Sequence, residues 1–300
     1  MTGKMLHGIE SVLEEERPDV VMVYGDTNST LAAGLAASKL SIPVIHVEAG
    51  LRSFDRQMPE EMNRIMVDLL SKFLFCPTDT AVANLRLEGI FQDNSVKQFV
   101  TKNGDVMYDT FSTMKEYRNR EITHQLGLEP QNFALATIHL ASNTDTKDAL
   151  EDIMTMFAQA SSFIDKVVFP VHPRTRARMS SLDIALPSNV LVADPLSYLD
   201  VIALLNDAAM LLTDSGGMQK EALWTNTPCI TLRETTEWVE TCDGGFNYLV
   251  GRDMVKFGQA MESVGLVEFE GKKHASLLRM YGDGQASRVV AAQILELLES

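Results

Sequence analysis

The stretch DVVMVYGDTNSTLAAGLAASKLSIPVIHVEAG, residues 19–50, decides how the chain folds. A short apolar run follows Pro18 and breaks at Gly25. Apolar and small residues then recur at helical spacing after a Ser/Thr-rich turn, and a second apolar run begins at Pro43. An apolar run, a helix and another apolar run within about thirty residues read as a β-α-β unit: two parallel strands and their crossover helix.

The same rhythm extends outward. PEEMNRIMVDLLSK (59–72) is a helix with proline in its first turn, FLFCPT (73–78) a strand and TDTAVANLRLEG (78–89) a helix. Residues 103–132 are polar, with Gly104, Gly127 and Pro130, and read as a helix and connector. Alternation then resumes. FALATIH (133–139), KVVFPVH (166–172), NVLVA (189–193), AMLLTDS (209–215) and PCITLR (228–233) are strands. Residues 146–161, 173–182, 198–208 and 216–226 are the helices between them, and 286–300 a closing amphipathic helix. The pattern predicts an α/β protein of two Rossmann-like, doubly wound domains facing a cleft. Their bounds are 1–118 and 119–284, with helix 285–300 packing back on the first. The chain opens in a helix capped by Thr2, so the first domain shows only about three clear strands against about five in the second. Its sheet therefore reads as incomplete.

Bulk composition narrows the function. The chain has 300 residues, 45% hydrophobic and 22% charged, as a globular protein has. No apolar run approaches the ~20 residues that span a bilayer, and no secretory signal opens the sequence. A formal net charge of -15 argues against nucleic acid and anionic membranes as partners. The three cysteines, Cys76, Cys229 and Cys242, have no metal-ligand spacing and read as buried thiols of a cytoplasmic protein.

Polar clusters end nearly every strand. Asp26 stands at the turn after the first, where capping of the next helix is the competing explanation. His46 and Glu48 occupy alternate positions, and Glu48 meets a Gly turn and Arg52. Glu60 and Arg64 form an i,i+4 pair on the 59–72 helix. His139 and His172 end later strands, with Arg174 beyond. The run LLTDSGGMQKEA (211–222) breaks a strand at Asp214-Ser215-Gly216-Gly217 and opens a helix. Two glycines expose backbone N–H groups to an anion, and the helix dipole favours it. Glu221, about one turn further, suits ribose hydroxyls. A plain tight turn is the alternative.

Together, VYGDTNSTLAAGLAA, IPVIHVEAGLRSFDRQMPEEMNR, PVHPRTR, LTDSGGMQKEALW, LRETTEWVETCDGGFNYLVG and YGDGQAS resemble the non-hydrolysing UDP-N-acetylglucosamine 2-epimerase family. TGKML, GDVMYD and TTEWVE are similar to its branch acting on UDP-2,3-diacetamido uronic acids. The resemblance implies a glycosyltransferase-B-like fold, a UDP-sugar substrate, a homodimer, and neither cofactor nor metal. It implies inversion at C2 by anti-elimination of UDP to a glycal and re-addition. Asp26, Glu48, Glu60 and His139 match the catalytic groups and Arg64 a substrate contact. Ser215, Gly216, Gly217 and Glu221 match the nucleotide site, with His172 and Arg233 beside it.

Three departures stand out. The family's opening strand and Gly-Thr-Arg-Pro-Glu loop have no counterpart in this sequence, so the first domain is expected to lack its N-terminal strands. Leu140 and Ser142 replace an arginine and a glutamate after the histidine, and Asn226 replaces a turn glycine. These leave a catalytically impaired UDP-sugar-binding homologue as the alternative, and a glycosyltransferase of the same fold as a further one.

Overall fold

A computed structural model of the chain describes residues 1–91, 98–266 and 271–299. The chain divides into two compact units, Met1–Thr110 with Arg279–Ser300, and Phe111–Leu278.

Among the described residues, the first unit holds four parallel strands: β1 (Val21–Tyr24), β2 (Val44–Val47), β3 (Phe73–Cys76) and β4 (Phe99–Lys102), in the order β1-β2-β3-β4. Strands β2 and β3 are buried along their whole length, the unbroken apolar pattern expected where helices cover both faces. One face packs Val23 and Val44 against Leu13, Ala36 and Ala37 of the two helices Thr2–Glu16 and Asn28–Lys39 and against Val67 of the helix Pro59–Leu70. The other packs Ile45, Val47, Phe73 and Phe75 against Val290 of the helix Ala286–Glu299. The Asp109 carboxylate accepts from Ala286 N–H (3.0 Å) and Ser287 N–H (2.7 Å), fixing where that helix starts.

The second unit holds β5 (Phe133–Thr137), β6 (Lys166–Pro170), β7 (Val190–Ala193), β8 (Met210–Thr213), β9 (Cys229–Thr231) and β10 (Asn247–Leu249). All pair in parallel, in the order β10-β9-β8-β5-β6-β7. Strand order runs outward from β5 in one direction and from β8 in the other, so the topological switch point lies between these two. Loops at the carboxyl ends of such neighbours splay apart and leave a crevice for ligands.

Three local details differ from the sequence reading. Strands β4 and β10 were not foreseen. Thr2 is not a cap: the N-cap position is Met1, with no side-chain bond, and Thr2 is the first helical residue. Asn226 takes the left-handed conformation (φ 61°, ψ 33°) as the C-cap of helix Gly216–Thr225. Asparagine is the side chain that most readily replaces glycine there.

Candidate active site

In the first unit, β1 runs into Gly25 and Asp26, and β2 runs into Glu48. Gly25 has φ +59°, and a β-carbon added to it would lie 3.2 Å from Glu48 Oε2, so the Glu48 carboxylate rests over this glycine. Glu48 itself has φ 71°, a left-handed conformation rare for a long side chain. Its N–H and that of Ala49 both donate to the Phe75 carbonyl at 3.1 Å, which holds the turn. Gly50 (φ +80°) follows where a β-carbon would meet the Ala81 carbonyl oxygen at 2.4 Å; only glycine fits this approach.

The competing explanation for Asp26 is settled by its neighbour. Thr27, not Asp26, is the N-cap of helix Asn28–Lys39, accepting from Thr30 N–H. The Asp26 carboxylate, partly exposed, pairs with Arg64 Nη2. Arg64 Nη1 donates to Glu61 Oε2 at 2.9 Å. The salt-bridge partner of Arg64 on its own helix, Pro59–Leu70, is thus Glu61 at i−3, while the i,i+4 reading named Glu60. Glu61 is buried and also accepts from Ser53 N–H (2.9 Å) and Phe54 N–H (3.0 Å), tying the loop after β2 to this helix. Asn63 donates to the Asp26 carbonyl at 2.8 Å. Glu60, at the helix's first turn, is half-buried.

Beneath this surface lies a buried network. His46 Nδ1 is 2.6 Å from Asp68 Oδ1, and Nε2 is 2.8 Å from the Gly25 carbonyl. Asp68 Oδ2 accepts from Gly50 N–H (3.2 Å) and Arg52 Nη1 (2.7 Å), while Arg52 Nε and Nη2 both reach Glu88. Sequence reading left His46 as a structural group and missed Asp68. A carboxylate 22 residues away on another element carries no local signal.

In the second unit, the sequence-marked residues line the carboxyl ends of four neighbouring strands. Arg233 follows β9, Asp214 and Ser215 follow β8, His139 follows β5, and His172 follows β6. The fully buried Asp214 organises the switch point. It accepts from His139 N–H (3.1 Å), Leu140 N–H (2.9 Å) and Asn143 Nδ2 (3.1 Å), and its Oδ1 lies 3.3 Å from His139 Nδ1. The His139 ring is half exposed above it.

Ser215 is the N-cap of helix Gly216–Thr225, accepting from Met218 N–H. Gly216 and Gly217 form the helix's first turn. A β-carbon on Gly216 would meet Glu237 Oε1 at 2.1 Å, and Glu237 is bound to Arg233 Nη2 at 2.7 Å. Arg233 therefore reaches the Gly216 turn through Glu237. Glu221 is buried and accepts from Tyr198; burial and the Glu221 charge hold that phenol above its ordinary range. Sequence reading missed Tyr198, which looks like an ordinary apolar helix residue. It also missed the fully buried Lys220, whose ammonium sits 4.0 Å from the Trp238 ring centroid. His172 is exposed and caps helix Pro173–Ser181, its Nδ1 accepting from Arg174 N–H at 3.2 Å. Among the described residues no group of three or more His, Cys, Asp or Glu is arranged to hold a metal ion. No helix among them is long and apolar enough to cross a membrane.

Residues 1–295 match the family described as UDP-N-acetylglucosamine 2-epimerase. A UDP-N-acetylglucosamine 2-epimerase homologue of Methanococcus maripaludis is 48% identical over 262 residues, covering 85% of this chain and 71% of the relative. The UDP-2,3-diacetamido-2,3-dideoxy-D-glucuronate 2-epimerase of Pseudomonas aeruginosa is 45% identical over 301 residues, 99% of this chain and 80% of the relative. The crystal structure of Methanocaldococcus jannaschii UDP-GlcNAc 2-epimerase in complex with UDP-GlcNAc and UDP superposes with a TM-score of 0.88 at 37% identity, covering 98% of this chain and 80% of that one. The chain belongs to the UDP-N-acetylglucosamine 2-epimerase family.

Proposed function

We propose that the chain inverts C2 of a UDP-N-acetylhexosamine. A base takes the C2 proton as the C1–O bond to UDP breaks, its electron pair leaving on the diphosphate. UDP then adds back to C1 of the glycal, and C2 is protonated on the other face. In this reading Asp26, Glu48, Glu60 and His139 handle the protons and Arg64 contacts the sugar. The turn Ser215–Gly217 receives the diphosphate with its N–H groups and helix dipole, and Glu221 receives the ribose. His172 and Arg233 line the nucleotide side.

The observation that carries the reading is the placement of Asp26 and Glu48. The Glu48 carboxylate rests over Gly25, and the adjacent parallel strand delivers Asp26 directly after that glycine, its carboxylate paired with Arg64 while Thr27 takes the capping role. The test is incubation with UDP-N-acetylglucosamine, and in parallel the diacetamido uronate sugar, in deuterated buffer. Deuterium at C2 together with the epimer is expected. A folded sample giving neither rules the activity out.

Leu140 and Ser142 favour a second reading. Leu140 turns its N–H to Asp214 and brings no charge to the loop after β5. Heat of UDP binding without turnover selects a UDP-sugar-binding homologue.

A homodimer belongs to the same proposal. Helix Pro59–Leu70 is built inside out: Glu61, Asn63, Arg64 and Asp68 are buried, while Met62, Met66 and Leu69 are 40%, 38% and 59% exposed. An apolar stripe at i, i+4 and i+7 supports pairing with its own copy. Met66→Glu is expected to give a monomer in sedimentation. A cytoplasmic location, the last part of the proposal, is supported by three free cysteines, two of them buried.

A further inference from the structure

His46 has no exposed surface, yet both of its ring nitrogens face acceptors. The Gly25 carbonyl, 2.8 Å from Nε2, has no hydrogen to give, so Nε2 carries one. The other nitrogen, Nδ1, lies 2.6 Å from Asp68 Oδ1. Asp68 is ionised, because its second oxygen takes the Gly50 N–H and the Arg52 guanidinium, both suited to a carboxylate. An ionised carboxylate only accepts. Nδ1 therefore carries a hydrogen as well, and the ring is an imidazolium.

The charges around the ring can be enumerated by element. The helix Pro59–Leu70 brings Asp68, and the turn after β2 brings Glu48 and Arg52. Glu88, at the end of helix Asp79–Leu87, occupies the far side of Arg52. Strand β3 brings the Cys76 thiol, which burial and then Asp68 push well up and keep neutral. Strand β1 contributes only the uncharged Gly25 carbonyl. Burial opposes a charge on His46, and the Asp68 carboxylate, with smaller help from Gly25 and Glu48, overcomes it.

We propose that His46 is a positioning residue, a buried imidazolium that clamps the Gly25 carbonyl and, from beneath, fixes the Asp26 and Glu48 turns and keeps Glu48 ionised as a proton acceptor. The clamp holds the one peptide from which Asp26 departs and over which the Glu48 carboxylate rests. A neutral side chain that still donates to Gly25 keeps the shape of the site and loses the charge. The proposal rests on the epimerase reading for its role in turnover, while the charge itself is a property of the folded chain.

The test separates the two. In ¹⁵N-histidine spectra of the wild-type protein at pH 7, both His46 nitrogens are expected at imidazolium positions. In ¹³C-carboxyl spectra, Glu48 of His46→Gln is expected to titrate about one pH unit above wild type, the low end for losing a nearby opposite charge. The acidic limb of kcat/KM moves by the same amount, with KM unchanged. A neutral His46 ring at pH 7 overturns the proposal, and needs no variant that folds. So does a Glu48 titration that is the same in both proteins. Failure of the epimerase reading shows separately, as absence of C2 deuterium in the wild type.

Discussion

The backbone of Glu48 sets where its carboxylate lies. A left-handed conformation costs a non-glycine residue about 1–2 kcal/mol, and here it is held by two N–H groups on the Phe75 carbonyl. That geometry aims the carboxylate across Gly25. On the proposed mechanism, replacing Glu48 by Gln keeps shape and removes a proton-handling group; kcat is expected to fall by about 10²–10⁴ with an unchanged circular dichroism spectrum. Gly50→Ala makes the opposite kind of change. The added carbon meets the Ala81 carbonyl at 2.4 Å in a backbone already at φ +80°, so a loss of about 2–4 kcal/mol is expected in urea unfolding. The glycines and acids of this turn were legible because turn chemistry is local: a strand ends, a glycine bends, a carboxylate follows. The pairing of Asp26 with Arg64 was not, since the two meet across 38 positions of sequence. Tyr198 escaped for the same reason, its hydroxyl meeting Glu221 from another helix.

At the scale of elements, strands β1, β2, β3, β5, β6, β7, β8 and β9 were all visible as apolar runs between helical stretches. The two that were missed, FVTK in β4 and NYL in β10, close their sheets at one edge. An edge strand has one neighbour and half a burial requirement, so its sequence need not be apolar and its period is short. The pair His46–Asp68 ties β2 to the helix Pro59–Leu70, and its charge sets a pH window. The folded His46 is held above 6.5: burial works against its charge and Asp68 prevails. Its contribution is whole below that pH, declines above it and is gone once the folded value is passed. Asp68 is held below 3.8, where burial again works against the charge and His46 and Arg52 prevail. Its contribution is whole above 3.8 and is lost as acid reaches the folded value. The difference in melting temperature between wild type and His46→Gln is therefore expected to be widest between about pH 4 and 6.5, and to narrow on the alkaline side.

At the scale of the whole molecule, the proposed function asks a chain of net charge -15 to bind a dianionic diphosphate against its own field. In the proposed function the attraction is local: N–H groups of the first turn of helix Gly216–Thr225, beside the switch point between β5 and β8. UDP at 100 times its dissociation constant is expected to raise stability by about 2.7 kcal/mol. Gly216→Ala, whose new carbon drives into Glu237, is expected to abolish that melting shift. The inside-out helix Pro59–Leu70 has a further consequence, for heredity rather than energy. A surface helix ordinarily drifts freely on one side, because solvent accepts almost any residue there. This one has its inner side committed to Asp26, Ser53 and His46 and its outer side apolar. In a saturation-mutagenesis screen, positions 62, 66 and 69 should reject polar residues almost as firmly as 61, 64 and 68 reject apolar ones. On the proposed dimer, the twelve residues of this helix would answer to two separate constraints on a single turn-by-turn surface, with almost no neutral ground between them.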